Sequence, residues 1–246
     1  MSTRFIGVDV ETTGLDFKES RITEIGFVVM ELGSHKPLDC QTYFVYEQDV
    51  KKVPEEITKL TGITLDHLVY HGVTPEHAAR TVRHACQTFN VDYLVAHNAA
   101  FDLTMLKEFS DRNGVRVLDS PLPVIDTATD LPEELYAEAR THTLSYLAAH
   151  MGFINPFPHA ALFDVMTMMK VLFAHDVEKV VERSKIPWVV VAAGVKYDDR
   201  QLAKDRRYRW EEIDGVKYAK RWVKKVKQDR VEIEQQEAPF PVAVIN

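Results

Sequence analysis

Residues 4–14 read Arg4-Phe5-Ile6-Gly7-Val8-Asp9-Val10-Glu11-Thr12-Thr13-Gly14, an apolar, β-branched run that ends in two carboxylates two residues apart. Such a run favours a strand, and residues i and i+2 of a strand project from one face, so Asp9 and Glu11 are expected side by side. Two like charges sharing a partly buried site raise one another's pKa, and a divalent cation is the natural compensation. On its own, the pair is equally well accounted for by an ordinary strand that has reached solvent with acids at its mouth.

Two further segments supply acids in matching contexts. Tyr93-Leu94-Val95-Ala96 reads as a short strand, and His97-Asn98-Ala99-Ala100-Phe101-Asp102 leads into a helical pattern continued by Leu103, Leu106 and Phe109. Asp102 thus falls in a first helical turn. His159-Ala160-Ala161-Leu162-Phe163-Asp164 likewise enters a helix, Val165 to Phe173, that is apolar on most sides. Five residues at about 100° each would leave His159 and Asp164 roughly 140° apart if both were helical. They converge only if His159 precedes the first turn, and Pro156 and Pro158 favour a loop there.

These residues together resemble the DnaQ-like, or DEDDh, 3′-5′ exonucleases, over roughly residues 4–175. Leu60-Thr61-Gly62-Ile63-Thr64 and His142-Thr143-Leu144-Ser145-Tyr146-Leu147-Ala148 add to the likeness. The family is defined by four acidic metal ligands and a histidine, which fall here on Asp9, Glu11, Asp102, Asp164 and His159. Ala160 departs from the basic or polar residue of many relatives. A sister subfamily carries tyrosine at that position, so the histidine subfamily is the better match.

The resemblance implies two divalent cations, Mg²⁺ or Mn²⁺, since an all-carboxylate set suits hard ions about 3.5–4 Å apart that clamp an in-line displacement at phosphorus. Asp9 would bridge them, with Glu11, Asp102 and Asp164 completing the shells and His159 acting as general base. Thr12, Thr13 and Gly14 follow the acids where the strand must turn, and Leu15 and Ile63 sit where relatives stack apolar side chains on terminal bases. Asn98 and Phe101 join them as expected substrate contacts. His97 and His142 read as packing or hydrogen-bonding residues, and Met166, Met168 and Met169 as core.

The order of patterns is strand (4–10, 22–31, 41–47), helix (54–61, 75–89), then strand, helix, strand and two more helices. This implies an α/β layer architecture; by resemblance it is ribonuclease H-like, a mixed five-stranded sheet flanked by helices. At 246 residues the chain has room for an exonuclease domain over 1–180 and a smaller module over 186–246, an α+β or β-hairpin extension. Two cysteines, Cys40 and Cys86, make neither a disulfide framework nor a ligand cluster. Without a signal-peptide pattern or a long apolar stretch, a cytoplasmic location and no membrane partner are expected.

Charge is unevenly spread. Residues 1–185 carry 17 Lys and Arg against 27 Asp and Glu, whereas residues 186–246 carry 13 against 10. Arg207, Arg209, Trp210, Lys220, Trp222 and Lys224 interleave cations with aromatics, a composition that suits single-stranded nucleic acid. The same residues, turned about Asp214-Gly215 with Tyr208 and Tyr218, equally suit the hydrophobic face of a β-hairpin. Gln235-Gln236-Glu237-Ala238-Pro239-Phe240 is faintly similar to peptides that bind sliding clamps. The expected activity is metal-dependent 3′-5′ hydrolysis of single-stranded DNA to 5′-mononucleotides, in proofreading or repair beside a DNA polymerase. The alternatives are an exoribonuclease of the same family and a non-catalytic binding or polymerase-tethering subunit.

Overall fold

Every residue of β1 (Arg4–Thr12) is buried or half-buried, the condition of a strand covered on both faces. The structure is a computed structural model that describes residues 2–34, 36–212 and 220–245. The chain divides into two units, Met1–Ser184 and Lys185–Asn246.

In the first unit β1 is followed by β2 (Ile22–Glu31), β3 (Asp39–Phe44), α1 (Glu55–Thr61), α2 (Leu65–His71), α3 (Pro75–Phe89), β4 (Tyr93–Ala96), α4 (Ala99–Asn113) and β5 (Val124–Asp126). Four helices complete it: α5 (Glu133–Ala139), α6 (Leu144–His150), α7 (Ala161–Phe173) and α8 (Val177–Ser184). The strands form a mixed sheet in the order β3-β2-β1-β4-β5, antiparallel on the β2 side of β1 and parallel on the β4 side. This is the five-stranded, helix-flanked sheet expected from the resemblance.

The pleat sorts side chains between two cores. Ile6, Val8 and Val10 join Val82, Met105 and Phe109 of α3 and α4, while Phe5 joins Val165, Met168 and Leu172 of α7. Asp9 and Glu11 therefore continue the Phe5–Gly7 row, on the face that α7 covers. Two glycines let α7 come close. A Cβ on Gly26 would lie 2.5 Å from Leu162 N and 2.6 Å from Ala161 C, and one on Gly7 would lie 2.8 Å from Val165 Cγ1.

Several local expectations are corrected. The third strand ends at Phe44, short of residue 47: Val45 still donates its N–H to the Thr23 carbonyl of β2, but it also forms an isolated parallel bridge to Val73. The helix α2 was absent from the pattern; left-handed Gly62 (φ 75°) stops α1, and a capping box between Thr64 and His67 starts α2. Where two closing helices were expected there are four. Met168 and Met169 are core, but Met166 is 42% exposed, at the rim of a groove that α7 forms with Val28, Met30 and Pro37.

The second unit is a four-stranded antiparallel sheet, β7-β8-β6-β9, built from β6 (Trp188–Ala193), β7 (Arg209–Glu212), β8 (Lys220–Lys227) and β9 (Val242–Ile245), with α9 (Arg200–Asp205) and α10 (Val231–Glu237). Trp210 and Trp222 pair across β7 and β8 with centroids 5.5 Å apart. The expected Asp214-Gly215 turn and Tyr218 lie outside the described residues. The clamp-peptide reading is overturned: Phe240 is 8% exposed and packs edge-on against Tyr208, so its ring belongs to the core of this unit.

Glu234 organises that core. It accepts hydrogen bonds from Arg206 Nε and Nη2 (3.0 and 3.1 Å), Lys224 Nζ (2.8 Å) and Tyr208 Oη (3.1 Å). Burial raises its carboxyl, but these donors outweigh burial and hold the pKa down to about 2. A depressed carboxylate stabilises the fold above its unfolded value and loses that contribution as pH falls toward its folded value. All three tryptophans, Trp188, Trp210 and Trp222, lie in this unit, so their fluorescence reports its unfolding. The stability so measured should decline between about pH 4.5 and pH 2, and Glu234→Gln should remove on the order of 3 kcal/mol at pH 7 and flatten the acid limb. Gly26→Ala should cost about 1–3 kcal/mol in urea unfolding followed by far-ultraviolet circular dichroism, through the forced retreat of α7 from β2.

Candidate active site

The carboxylates meet because three elements end at one place. The Val10 N–H donates to Asp102 Oδ1 (3.1 Å, buried), tying the first turn of α4 to the end of β1. Asp164, in the first turn of α7, accepts from Asn155 Nδ2 (2.8 Å) and from the N–H of His159 (2.7 Å). His159 lies in the loop before α7, with φ 64° in the left-handed region that non-glycine residues rarely occupy. Ligand atoms of Glu11, His159 and Asp164 lie within 4.8 Å of one another.

Charge repulsion pervades this cluster. Burial, then the charges of Asp102, Glu11, Asp164 and Glu24, push the Asp9 carboxyl well above the usual range. Burial, then Asp164, Glu24 and Asp102, raise Glu11 to about 8. Burial takes Asp102 to about 7 against the pull of the Val10 N–H, and burial also raises Asp164. The charges named as acting on Asp9 and Glu11 are all those of other acids. Hard oxygen donors in excess, with their protons held by burial and mutual repulsion, are the donor set of a divalent-cation site, where ion binding displaces protons. The residues therefore fit the expected metal ions.

These side chains line a cleft of about 640 Å³. Thr12, Leu15, Asn98 and Phe101 are among its lining; Leu15 is 81% exposed, and Phe101 is braced by Phe17 at 5.7 Å between centroids. Thr13 and Gly14 are not among its lining. They shape the turn instead, Thr13 exchanging backbone and side-chain bonds with Arg21 and Gly14 accepting from the Thr12 hydroxyl. Ile63 is corrected outright: it is 2% exposed in a small core with Val50 and Leu68, because left-handed Gly62 turns the chain inward. Ile57 and Leu60 of α1 supply the apolar lining in its place. Their i, i+3 spacing marks one face of the helix expected over 54–61, a signal already present in the sequence.

His97 and His142 bond as expected, to Thr127 Oγ1 (3.0 Å) and the Ala128 carbonyl (2.7 Å), while also lining the cleft. Burial depresses the His97 imidazole. Sequence reasoning missed Glu24, which faces Glu11 across the β1–β2 ladder; nothing in Ile22-Thr23-Glu24-Ile25-Gly26 marks it until the strands are paired. Of the expected nucleic-acid contacts, Arg207, Arg209, Trp210 and Lys220 are exposed. Lys224 is bonded to Glu234, and Trp222 is half-buried against the second unit's core.

The family model for exonucleases (RNase_T) matches residues 6–172. A DNA polymerase III of PolC type from Streptococcus suis is 29% identical over 170 residues, 69% of this chain; the match takes in 11% of that polymerase's length, so this chain corresponds to a small part of it. Exonuclease I of E. coli, solved in complex with a dA16 oligonucleotide, superimposes with a TM-score of 0.61 at 14% identity, covering 92% of this chain and 63% of that one. The nuclease domain of 3′hExo, described as a DEDDh family member and bound to rAMP, gives 0.59 at 14% identity, covering 70% and 91%. The chain belongs to the exonuclease family, on the ribonuclease H-like fold of the DnaQ-like DEDDh nucleases.

Proposed function

We propose that the first unit is a 3′-5′ exonuclease that removes 5′-mononucleotides from the 3′ end of single-stranded DNA. The convergence of Asp9, Glu11, Asp102, Asp164 and His159 at one cleft carries this reading. Two Mg²⁺ or Mn²⁺ ions held by the four acids would supply Lewis-acid activation of the attacking oxygen and charge stabilisation of the leaving oxygen. His159 accepts the proton of the attacking water, since imidazole exchanges a proton near neutral pH. Its backbone bond to Asp164 keeps the ring at the cleft mouth while leaving the ring nitrogens for water. Leu15, Leu60 and Phe101 offer apolar faces to unstacked terminal bases, which a duplex end would not present, and Asn98 and Thr12 offer polar contacts to the sugar-phosphate chain.

DNA is favoured because the relatives include a DNA polymerase and an exonuclease solved with deoxyadenosine oligonucleotide. The rAMP complex of a similar fold keeps the exoribonuclease as the second reading. The PolC relatives support work beside a DNA polymerase, in proofreading or repair, in the cytoplasm. No described helix is long and apolar enough to cross a membrane. Complete retention of the acids argues against a purely tethering subunit. We assign nucleic-acid holding to the second unit, through exposed Arg207, Arg209, Trp210 and Lys220.

Digestion of matched 5′-labelled single-stranded DNA and RNA in Mg²⁺ should give a shortening ladder on DNA. Asp164→Asn should abolish the ladder while strand binding persists, and His159→Ala should slow it by about 10²–10⁴-fold. A ladder on RNA alone would move the assignment to the exoribonuclease; undiminished turnover by Asp164→Asn would end the metal-site reading. Arg209→Ala combined with Lys220→Ala should leave trinucleotide turnover unchanged but flatten the salt dependence of binding to long strands. An unchanged salt slope would leave the second unit without a nucleic-acid role.

A further inference from the structure

Neither helix that bears a metal-site acid is capped by its own N-cap side chain. Asn98 precedes α4 and Ala160 precedes α7, and neither makes a side-chain cap bond. In both cases a carboxylate from a distant strand does so instead. Glu24 of β2 accepts the N–H of Ala161 at 3.1 Å in a buried bond. Asp126, the last residue of β5, accepts the N–H of Asn98 at 2.8 Å and that of Ala99 at 3.0 Å. Ala161 and Ala99 are the first residues of their helices, and Asp164 and Asp102 each stand three residues further on. At about 1.5 Å per residue the acid is roughly 4.5 Å along the axis from the anchored N–H, within the same turn. A shift at the anchor therefore reaches the acid almost undiminished.

We propose that Glu24 and Asp126 are positioning residues, which fix the first turns of α7 and α4 so that Asp164 and Asp102 meet Asp9 and Glu11 at cation-binding distance. This inference rests on the exonuclease reading of the cleft. Glu24 is spoken for on both oxygens, since its other oxygen accepts the Thr42 hydroxyl at 2.8 Å. It lies close enough for its charge to act on Asp9, Glu11 and Asp164, yet it is turned to protein donors. Asp126 also accepts the N–H of Ala128 (2.9 Å), and its own N–H donates to Asp130 (2.8 Å), which holds the carboxylate in place. An anion at a helix N-terminus is further favoured by the peptide dipoles.

The two anchors differ in how an amide would serve them. At position 24 a carboxamide oxygen takes the Ala161 N–H, and its NH₂ meets a Thr42 hydroxyl able to turn and donate to the Ile25 carbonyl, 3.3 Å away. At position 126 both carboxylate oxygens face backbone N–H groups that cannot turn, so a carboxamide NH₂ opposes one of them.

The test is Mn²⁺ binding to the full chain without substrate, by electron paramagnetic resonance, alongside kcat, KM and thermal midpoint. Glu24→Ala and Asp126→Ala should weaken Mn²⁺ binding about 10–100-fold and lower kcat more than they raise KM. Glu24→Gln should restore binding and turnover; Asp126→Asn should not. All readings are taken well below each variant's thermal midpoint, so that a purely structural loss would leave Mn²⁺ affinity unchanged. Wild-type Mn²⁺ affinity in both alanine variants, or a Glu24→Gln variant as impaired as Glu24→Ala, overturns the proposal. With Asp164→Asn inactive, that result removes the positioning role alone; with Asp164→Asn fully active, the reading of the cleft fails first.

Discussion

Five carboxylates crowd the end of the central strand, and the first unit is built around the repulsion among them. Burial first, and then the charges of Asp102, Asp164 and Glu24, lift the Asp9 carboxyl well above its usual range and Glu11 to about 8. Repulsion of this kind drives helices and strands apart unless the backbone is anchored against it. The anchors are visible. The Val10 N–H holds Asp102, Asn155 and the His159 N–H hold Asp164, and glycines at positions 7 and 26 let α7 lie directly on the sheet.

Two of the five described non-glycine residues with positive φ stand beside this cluster. Asn98 (φ 67°) and His159 (φ 64°) are non-glycine residues in the left-handed region, and each stands within two residues of the start of a ligand helix. The chain must turn sharply out of β4, or out of the loop after α6, to present the first peptide of the helix to a strand carboxylate. The same turn leaves His159 outside α7, where its ring can share a site with Asp164 that a helical placement would forbid. Packing on both faces of the sheet supports these residues in conformations they would not choose alone.

Much of this was legible in the sequence, for a physical reason. Asp9 and Glu11 declare themselves through the two-residue period of one strand, and Asp102 and His159–Asp164 through the transition from loop to helical periodicity. The helix expected over 75–89 is α3, and its start is purely local: Thr74 accepts the N–H of His77, and Pro75 takes the first helical position. Features that depend on pairing were hidden. Glu24 acquires meaning only when β2 is set against β1 with Glu11 opposite it, and Asp126 only when β5 lies beside β4. Ile63 misled because its apolar character is equally suited to a core and to a cleft; the left-handed turn at Gly62 decided between them. In the second unit the alternation of cations and aromatics concealed that one lysine, Lys224, serves an internal acid.

Glu234 and Glu11 show the two ways this chain buries a carboxylate. Around Glu234 the protein supplies its own cations, Arg206 and Lys224, and the carboxyl falls to about 2. Around Glu11 burial is joined by further acids, and the carboxyl rises to about 8. The first arrangement is complete within the protein and contributes to its stability. The second gathers hard oxygen donors of one charge sign, the donor set that suits a divalent ion. A lysine or arginine among Asp9, Glu11, Asp102 and Asp164 would relieve the repulsion and compete with a divalent ion for these oxygens. The stability forgone at the end of β1 is thus tied to the chemistry the cleft is fitted for, and the anchoring bonds around it keep that stress from opening the fold.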